Sequence, residues 1–547
     1  MTRTIPVVLA LVGTAGFCLA QGHEMDPTAV SAQIFAELGG QHRKITSRVK
    51  LAQRYFDQGL NLAYAFNHDE AIRSFTAAAK SDPACAICYW GLAYSAGPHI
   101  NNPTMDAARV ALAWEAVTKA QALAAKASPV ERDLIQALAR RYSSDPAADR
   151  APLENAYADA MREVWARHPQ DSDVGTLFAE AAMDVHPWDL WTQDGGAQPW
   201  TGAIVAALEA VLKLDPNHPG ANHLYIHAVE GSPQPERATQ SADRLAAGHE
   251  PGAGHLVHMP GHIYQRTGRY EDAAEANRKA VAVDNAYVAK VPHQGFYLMY
   301  KAHNHQFLAY SAMFQGGSAE AVRGADAMVA QFPPEAVKEM AAFMDGSLSL
   351  PEFVLVRFGR WDEILKRPAP DPVLRASTGI WHWARGHALA AAGKLSEADA
   401  ELAEVAKAAA SLEETSAVGF NSGKVILGIA SDMLGAELAS RRGHVDVALH
   451  RLEAAVAAED GLRYNEPADW PLPVRHYLGA ALLAAGRLDQ AEAVYREDLK
   501  RHPENGWSLF GLAAVLEQRP SPEAAAVTAR LQKAWSRADL KLTGSRF

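Results

Sequence analysis

The sequence predicts an all-α protein, and three observations carry that prediction. Alanine and leucine dominate, while aromatic residues make up only 8% of the 547 residues, a composition that favours helix. The stretches between Gly and Pro turn signals are mostly too long for strands. Small residues also recur at fixed offsets over most of the chain, as paired helices that approach closely require. A chain of this length buries a sizeable core as several compact domains or as one long array.

In chain order, residues 1–20 read as a signal peptide: Arg3, an apolar run from Ile5 to Phe17, then Cys18, Leu19 and Ala20. The mature chain is expected to start near Gln21. Phe17 is too large for the small residue that normally precedes a lipidated cysteine, which makes a lipid anchor at Cys18 the weaker reading. No later segment has about 18 uninterrupted apolar residues, so the expected product is periplasmic or secreted, with no membrane insertion. Residues 21–45 form an N-terminal extension.

Residues 46–170 hold the first repeats. The spacing Tyr55, Gly59, Leu62, Ala71, Phe75, Ala78, Pro83 places small residues where two helices cross and proline at the exit. This resembles the tetratricopeptide repeat (TPR), a helix pair of about 34 residues. The same skeleton returns in 171–330 as Gly261, Tyr264, Gly268, Ala273 and Ala280. In 331–547 it returns as Gly386, Leu389, Gly393 and Ala398, and as Gly479, Leu482, Gly486, Ala491, Tyr495 and Pro503. Weaker copies surround Ala238, Ala321 and Ala448. Stretches 130–200 and 330–375 match poorly and contain loop signals at Gly195-Gly196 with Pro199 and at Pro368-Ala369-Pro370. The resemblance implies a TPR-like helical-hairpin solenoid, a right-handed superhelix with a concave groove in which a small molecule or peptide binds.

Without Cys18, two cysteines remain, in Cys85-Ala86-Ile87-Cys88. In an oxidising compartment a local disulfide is the first reading, with a metal or redox role as the alternative. Tyr89 stands where the histidine of a c-type haem motif would follow, which argues against covalent haem.

Ten of the 22 histidines fall between His218 and His305. With the repeat as a ruler, first helices begin near Pro219 and Gly254. His223, His227 and Glu230 then take positions 5, 9 and 12, His255, His258 and His262 positions 2, 5 and 9, and His303 position 2 of the next unit. In the TPR family positions 2, 5, 9 and 12 face the groove. Helix geometry gives the same grouping without the family, since at about 100° per residue each set falls within roughly 60° of arc. First helices of adjacent repeats pack about 8–10 Å apart, so imidazoles of neighbouring helices can converge on one ion.

His-x-x-x-His on a helix presents two imidazoles to one point and commonly holds a transition metal. Leu224 follows His223 where a zincin has glutamate, so protease chemistry of that kind is not expected. Glu230 is a candidate ligand, a partner fixing an imidazole tautomer, or a general base. The candidate metal ligands are therefore His223, His227, His255, His258, His262 and His303, with Glu230 the candidate catalytic group. The donor set suits copper or zinc, with iron also compatible, in a mononuclear or binuclear site. His218, His249 and His293, beside Pro or Gly, read as solvated, and His305 as facing away from His303. Glu180 and Asp184, on a helical stretch before His186-Pro187-Trp188, either extend the polar lining or serve as solvated or capping carboxylates.

The net charge of −11 is spread along the chain with no basic stripe, which argues against nucleic acid and anionic membranes as partners. No Gly-rich phosphate loop follows a strand and no Gly-x-Ser-x-Gly elbow occurs, so nucleotide binding and serine hydrolysis fit poorly. Three function classes remain: a metal-dependent enzyme, a metal storage or delivery protein, and a metal-free scaffold for a peptide or protein. Substrate and oligomeric state are not legible.

Overall fold

The computed structural model describes residues 32–248, 251–291, 295–519 and 521–547. The segment read as a signal peptide, Cys18, His249 and His293 lie outside the described residues. The fold is all-α, built largely of consecutive helical hairpins. Two two-residue strands, Ala417–Val418 and Asn421–Ser422, are the only strands among the described residues. None of the described helices is long and apolar enough to cross a membrane.

Within the described residues, 32–263 with 279–300 form one compact unit and 264–278 with 301–547 the other. The first unit carries α1 (Lys50–Tyr64), α2 (His68–Ser81), α3 (Ala86–Ala96), α4 (Ala107–Leu123), α5 (Pro129–Leu138), α6 (Arg150–Arg167), α7 (Ser172–Val185), α8 (Thr201–Leu214), α9 (Pro219–Glu230), α10 (Thr239–Ala246) and α11 (Gly254–His258). Three helices run across the division: α12 (Pro260–Arg266), α13 (Tyr270–Lys290) and α14 (Tyr297–Gln315).

Small residues set the spacing of these helices. Phe75 on α2 lies between Gly59 and Gly91, and a Cβ at Gly91 would come within 2.3 Å of its ring. Helix starts follow local chemistry. Asn67 caps α2 by accepting from the Glu70 amide, and Ser128 with Glu131 forms a reciprocal capping box on α5. Cys85 and Cys88 are joined as a disulfide at the start of α3. The poorly repeating stretch resolves into α5 to α7, then a non-helical loop over 186–200 whose Trp191 Nε1 donates to the Ala228 carbonyl of α9 at 2.8 Å.

In the second unit regular hairpins pair Arg375–Ala391 with Leu395–Ser411, Gly423–Arg441 with Val445–Asp460, and Val474–Ala484 with Leu488–Arg501. Their turns carry Gly393, Gly443 and Gly486 at φ of 76°, 78° and 69°. Residues 330–375 instead hold four short helices, Pro334–Glu339, Ala341–Met344, Leu350–Arg357 and Trp361–Ile364, which accounts for the weak repeat signal there. Trp383, Trp470 and Trp507 are fully buried in its core.

Candidate metal centre

Helix α9 is placed by its own N-terminus. His218 caps it, its Nδ1 accepting from the Ala221 amide at 3.1 Å, and Pro219 opens it with a φ suited to a first turn. His218 is therefore buried, contrary to the solvated reading: its Nε2 lies 3.1 Å from Asp173 Oδ1. Gly220 lets α9 approach α1 so closely that a Cβ there would sit 2.6 Å from the Tyr64 ring. That approach brings the Tyr64 carbonyl to 2.7 Å from His223 Nδ1.

The second histidine helix differs from the expectation of one continuous element. Helix α11 starts at Gly254, as the repeat ruler predicts, but ends at His258, and α12 begins at Pro260. Proline lacks an amide hydrogen and breaks the ladder there. His255 and His258 lie before the break and His262 after it.

All five imidazoles are buried, with exposures from 0% for His223 and His258 to 5% for His227. Ligand atoms of His223, His227 and His255 lie within 4.8 Å of one another. His223 and His255 face each other Nε2 to Nε2 at 3.0 Å, and His258 and His262 do so at 2.6 Å. The rings of His227 and His262 stand 5.3 Å apart. His303 belongs to the second unit, where its ring packs on Phe307 at 5.2 Å and its Nδ1 lies 3.4 Å from Gln306 Oε1.

Glu230 joins the two helices. Its Oε1 accepts from His227 Nδ1 and its Oε2 from His262 Nδ1, both at 2.7 Å. Burial would raise this carboxyl, but the imidazoles of His262 and His227 outweigh it and hold the group well below the usual carboxylate range. An ionised carboxylate and a carbonyl only accept, so the Nδ1 atoms of His227, His262 and His223 carry the hydrogens. Their Nε2 atoms then present lone pairs. Of the three roles the sequence offers Glu230, the hydrogen bonds describe the holding of tautomers, an arrangement that orients metal-binding imidazoles.

Burial favours neutral rings at His223, His227 and His255. Burial lowers His223 and His255 well below the ordinary histidine range, and neighbouring imidazoles lower them further. His227 is lowered by burial against the opposing pull of Glu230. Uncharged imidazoles are the form that binds metal.

Two aromatic residues with left-handed backbones wall the cluster. Phe66, at φ 55°, packs edge-on to His223 at 4.4 Å and stacks on His255 at 5.5 Å. Trp188, at φ 58°, sets its edge against His227 at 5.1 Å and donates from Nε1 to the Ile100 carbonyl. Such conformations cost bulky residues about 1–3 kcal/mol each and persist where surrounding contacts impose them. A small cavity of about 20 Å³ adjoins His255, lined by Leu62, Asn67, Gly254, Tyr287 and Tyr297 among others.

Glu180 and Asp184 are buried rather than solvated. Glu180 accepts from Tyr94 Oη, and burial pushes its carboxyl up to about 7. Asp184 accepts from Arg141 Nη2 at 2.7 Å. Two further buried histidines, His68 and His99, pack ring to ring at 4.4 Å. His68 opens α2 and His99 lies in the turn after α3, so neither belongs to a helix-face pattern that periodicity would reveal.

No known protein family and no curated protein matches the chain in sequence. Among solved structures, the human IFIT1 dimer with m7Gppp-AAAA is similar at 12% identity and TM-score 0.33, over 91% of this chain and 92% of that one. The hetero-tetramer Cut9-Hcn1 of APC/C is similar at 13% identity and TM-score 0.32, over 91% of this chain and 78% of that one. Naa15/Naa10 bound to HypK-THB follows at 14% identity and TM-score 0.23, over 89% and 70%. At these scores the likenesses say nothing of what this chain binds.

Proposed function

We propose that this protein is an exported TPR-like metalloprotein whose buried histidine cluster holds a transition-metal ion, copper or zinc. One observation carries the reading: Glu230 and the Tyr64 carbonyl together occupy three Nδ1 atoms. Three Nε2 atoms are thereby turned into a buried cluster. A buried set of neutral donors with fixed tautomers suits a cation better than it suits a packed core, where the same volume would be filled by apolar side chains. Nitrogen donors without thiolate favour copper and zinc, with iron also compatible. His223, His227 and His255 supply the compact donor set, and His258 and His262 extend it.

Burial separates the function classes. Imidazoles with almost no exposed surface are poor contacts for a peptide lying on a solenoid, which weighs against the metal-free scaffold. The cavity beside His255, which none of the other four imidazoles lines, has room for one water-sized group.

The test is elemental analysis of untagged protein beside a His223→Ala/His255→Ala variant, with helicity followed by circular dichroism. At least one equivalent of copper or zinc in the parent, lost in the variant at unchanged helicity, is expected. Metal-free parent that cannot be reloaded with either ion would overturn the reading.

A further inference from the structure

We infer that His68 and His99 form a second site for a transition-metal cation, separate from the cluster on α9, α11 and α12. The two sets share no residue. His68 is the first residue of α2, fixed by the Asn67 cap before it. His99 sits in a turn closed by reciprocal backbone hydrogen bonds with Asn102, at 3.1 and 2.9 Å. Both are buried, with exposures of 7% and 3%.

Three nitrogens carry the inference. Both ring nitrogens of His68 and Nδ1 of His99 are buried without a hydrogen bond of ordinary length, although the Gly97 backbone lies close enough to His68 to act on its charge. An unsatisfied buried polar atom destabilises the fold, and native structures rarely leave several side by side. The two rings stand 4.4 Å apart, tilted by 54°. An imidazole bound at about 2.0 Å places its ring centre about 3 Å from the ion, so this spacing subtends roughly 90° there, an ordinary angle between neighbouring ligands. Asn101 Oδ1, on the same turn, is also buried without a hydrogen bond of ordinary length, with the Tyr300 hydroxyl beside it, and offers a neutral oxygen.

The surroundings are aromatic. Phe66 lies 4.5 Å from His99, Tyr94 6.2 Å from His68, and Phe296 6.2 Å from His99. Phe66 packs on His223 from the same ring, so one side chain adjoins both sets of imidazoles. With two imidazoles and an amide oxygen as donors, the site takes a borderline cation of the zinc or copper class rather than calcium or magnesium, which require more oxygen ligands.

The experiment uses the full chain, stripped with chelator and reloaded with Zn(II) or, under reducing conditions, Cu(I). Bound ions are counted by plasma mass spectrometry after desalting. The parent is expected to hold one more equivalent than His68→Ala/His99→Ala, while His223→Ala/His255→Ala retains that equivalent. Equal loading of the parent and the first variant overturns this inference and leaves the α9 cluster standing. No loading of any protein overturns both. Should the alanine variant misfold, anomalous diffraction from metal-soaked parent crystals decides. A metal peak between His68 and His99 is expected, and a water there in its place refutes the site.

Discussion

Replacing Glu230 with glutamine tests the chemistry of the cluster through hydrogen positions alone. The parent carboxylate accepts from His227 Nδ1 and His262 Nδ1, one oxygen for each. Glutamine keeps one accepting oxygen and puts an NH2 group, a donor only, where the second oxygen was. The imidazole facing that NH2 must offer a bare Nδ1 and move its hydrogen to Nε2. One of the two Nε2 lone pairs is thus removed without removing a ring or changing the volume of the core. Loss of such a supporting contact weakens metal binding about 10–100-fold, or about 1.4–2.8 kcal/mol, and loss of the buried negative charge acts in the same direction. Competition with a chromophoric chelator measures the affinity, and long-range 15N spectra of the histidine rings report the tautomers. Affinity within twofold of the parent, with both rings still protonated at Nδ1, would refute the role given to Glu230.

Further outcomes follow from other buried contacts. Burial would raise the Asp173 carboxyl, but the hydrogen bond with His218 and the guanidinium of Arg43 hold it well below the usual range. A depressed carboxylate contributes stability that is present above its unfolded pKa of about 3.9 and is lost as pH falls toward the folded value. Asp173→Asn is therefore expected to cost about 3–5 kcal/mol at pH 7, with the gap to the parent closing below about pH 4, as urea titrations across pH would show. A Cβ at Gly511 would lie 2.0 Å from the buried Tyr495 ring, so Gly511→Ala should cost about 1–3 kcal/mol or more. Gly428→Ala, inside a helix with open space around it, should instead stabilise by about 0.5–1 kcal/mol, and thermal melts of the pair give the contrast. Cys85→Ser/Cys88→Ser opens a four-residue loop and is expected to lower stability by about 2 kcal/mol in chemical denaturation.

Repeat spacing exposes what is periodic and hides what is not. Helix starts at Pro219 and Gly254 were legible because the small residues at Ala238 and Ala273 fix the hairpin register. The grouping of His223 with His227, and of His255 with His258 and His262, followed from residues per turn. Contacts made across the chain left no such trace. The Tyr64 carbonyl is a backbone atom, so no residue type announces its bond to His223. His218 looked like a loop residue because Pro219 and Gly220 follow it, yet those residues let it cap α9 while buried against Asp173. His68 and His99 stand at a helix start and in a turn, where neither a 3.6-residue nor a two-residue period applies. Glu230 offers three roles on the page of letters, and the two hydrogen bonds that bear on them join helices whose meeting no residue spacing announces.

The interruption at Pro260 has a consequence for register along the two histidine helices. His223 and His227 are four residues apart, about 6 Å of helix, whereas His255 and His262 are seven apart, about 10.5 Å if the helix were straight. Yet the rings match in pairs, His223 with His255 at 4.8 Å and His227 with His262 at 5.3 Å. Met259, at φ −50° and ψ −36°, keeps the backbone helical up to Pro260, so the long ladder meshes with the short one across a junction that lacks only an amide hydrogen. Pro260→Ala returns that hydrogen; metal affinity kept in the variant would assign the meshing to side-chain reach, and affinity lost would assign it to the junction.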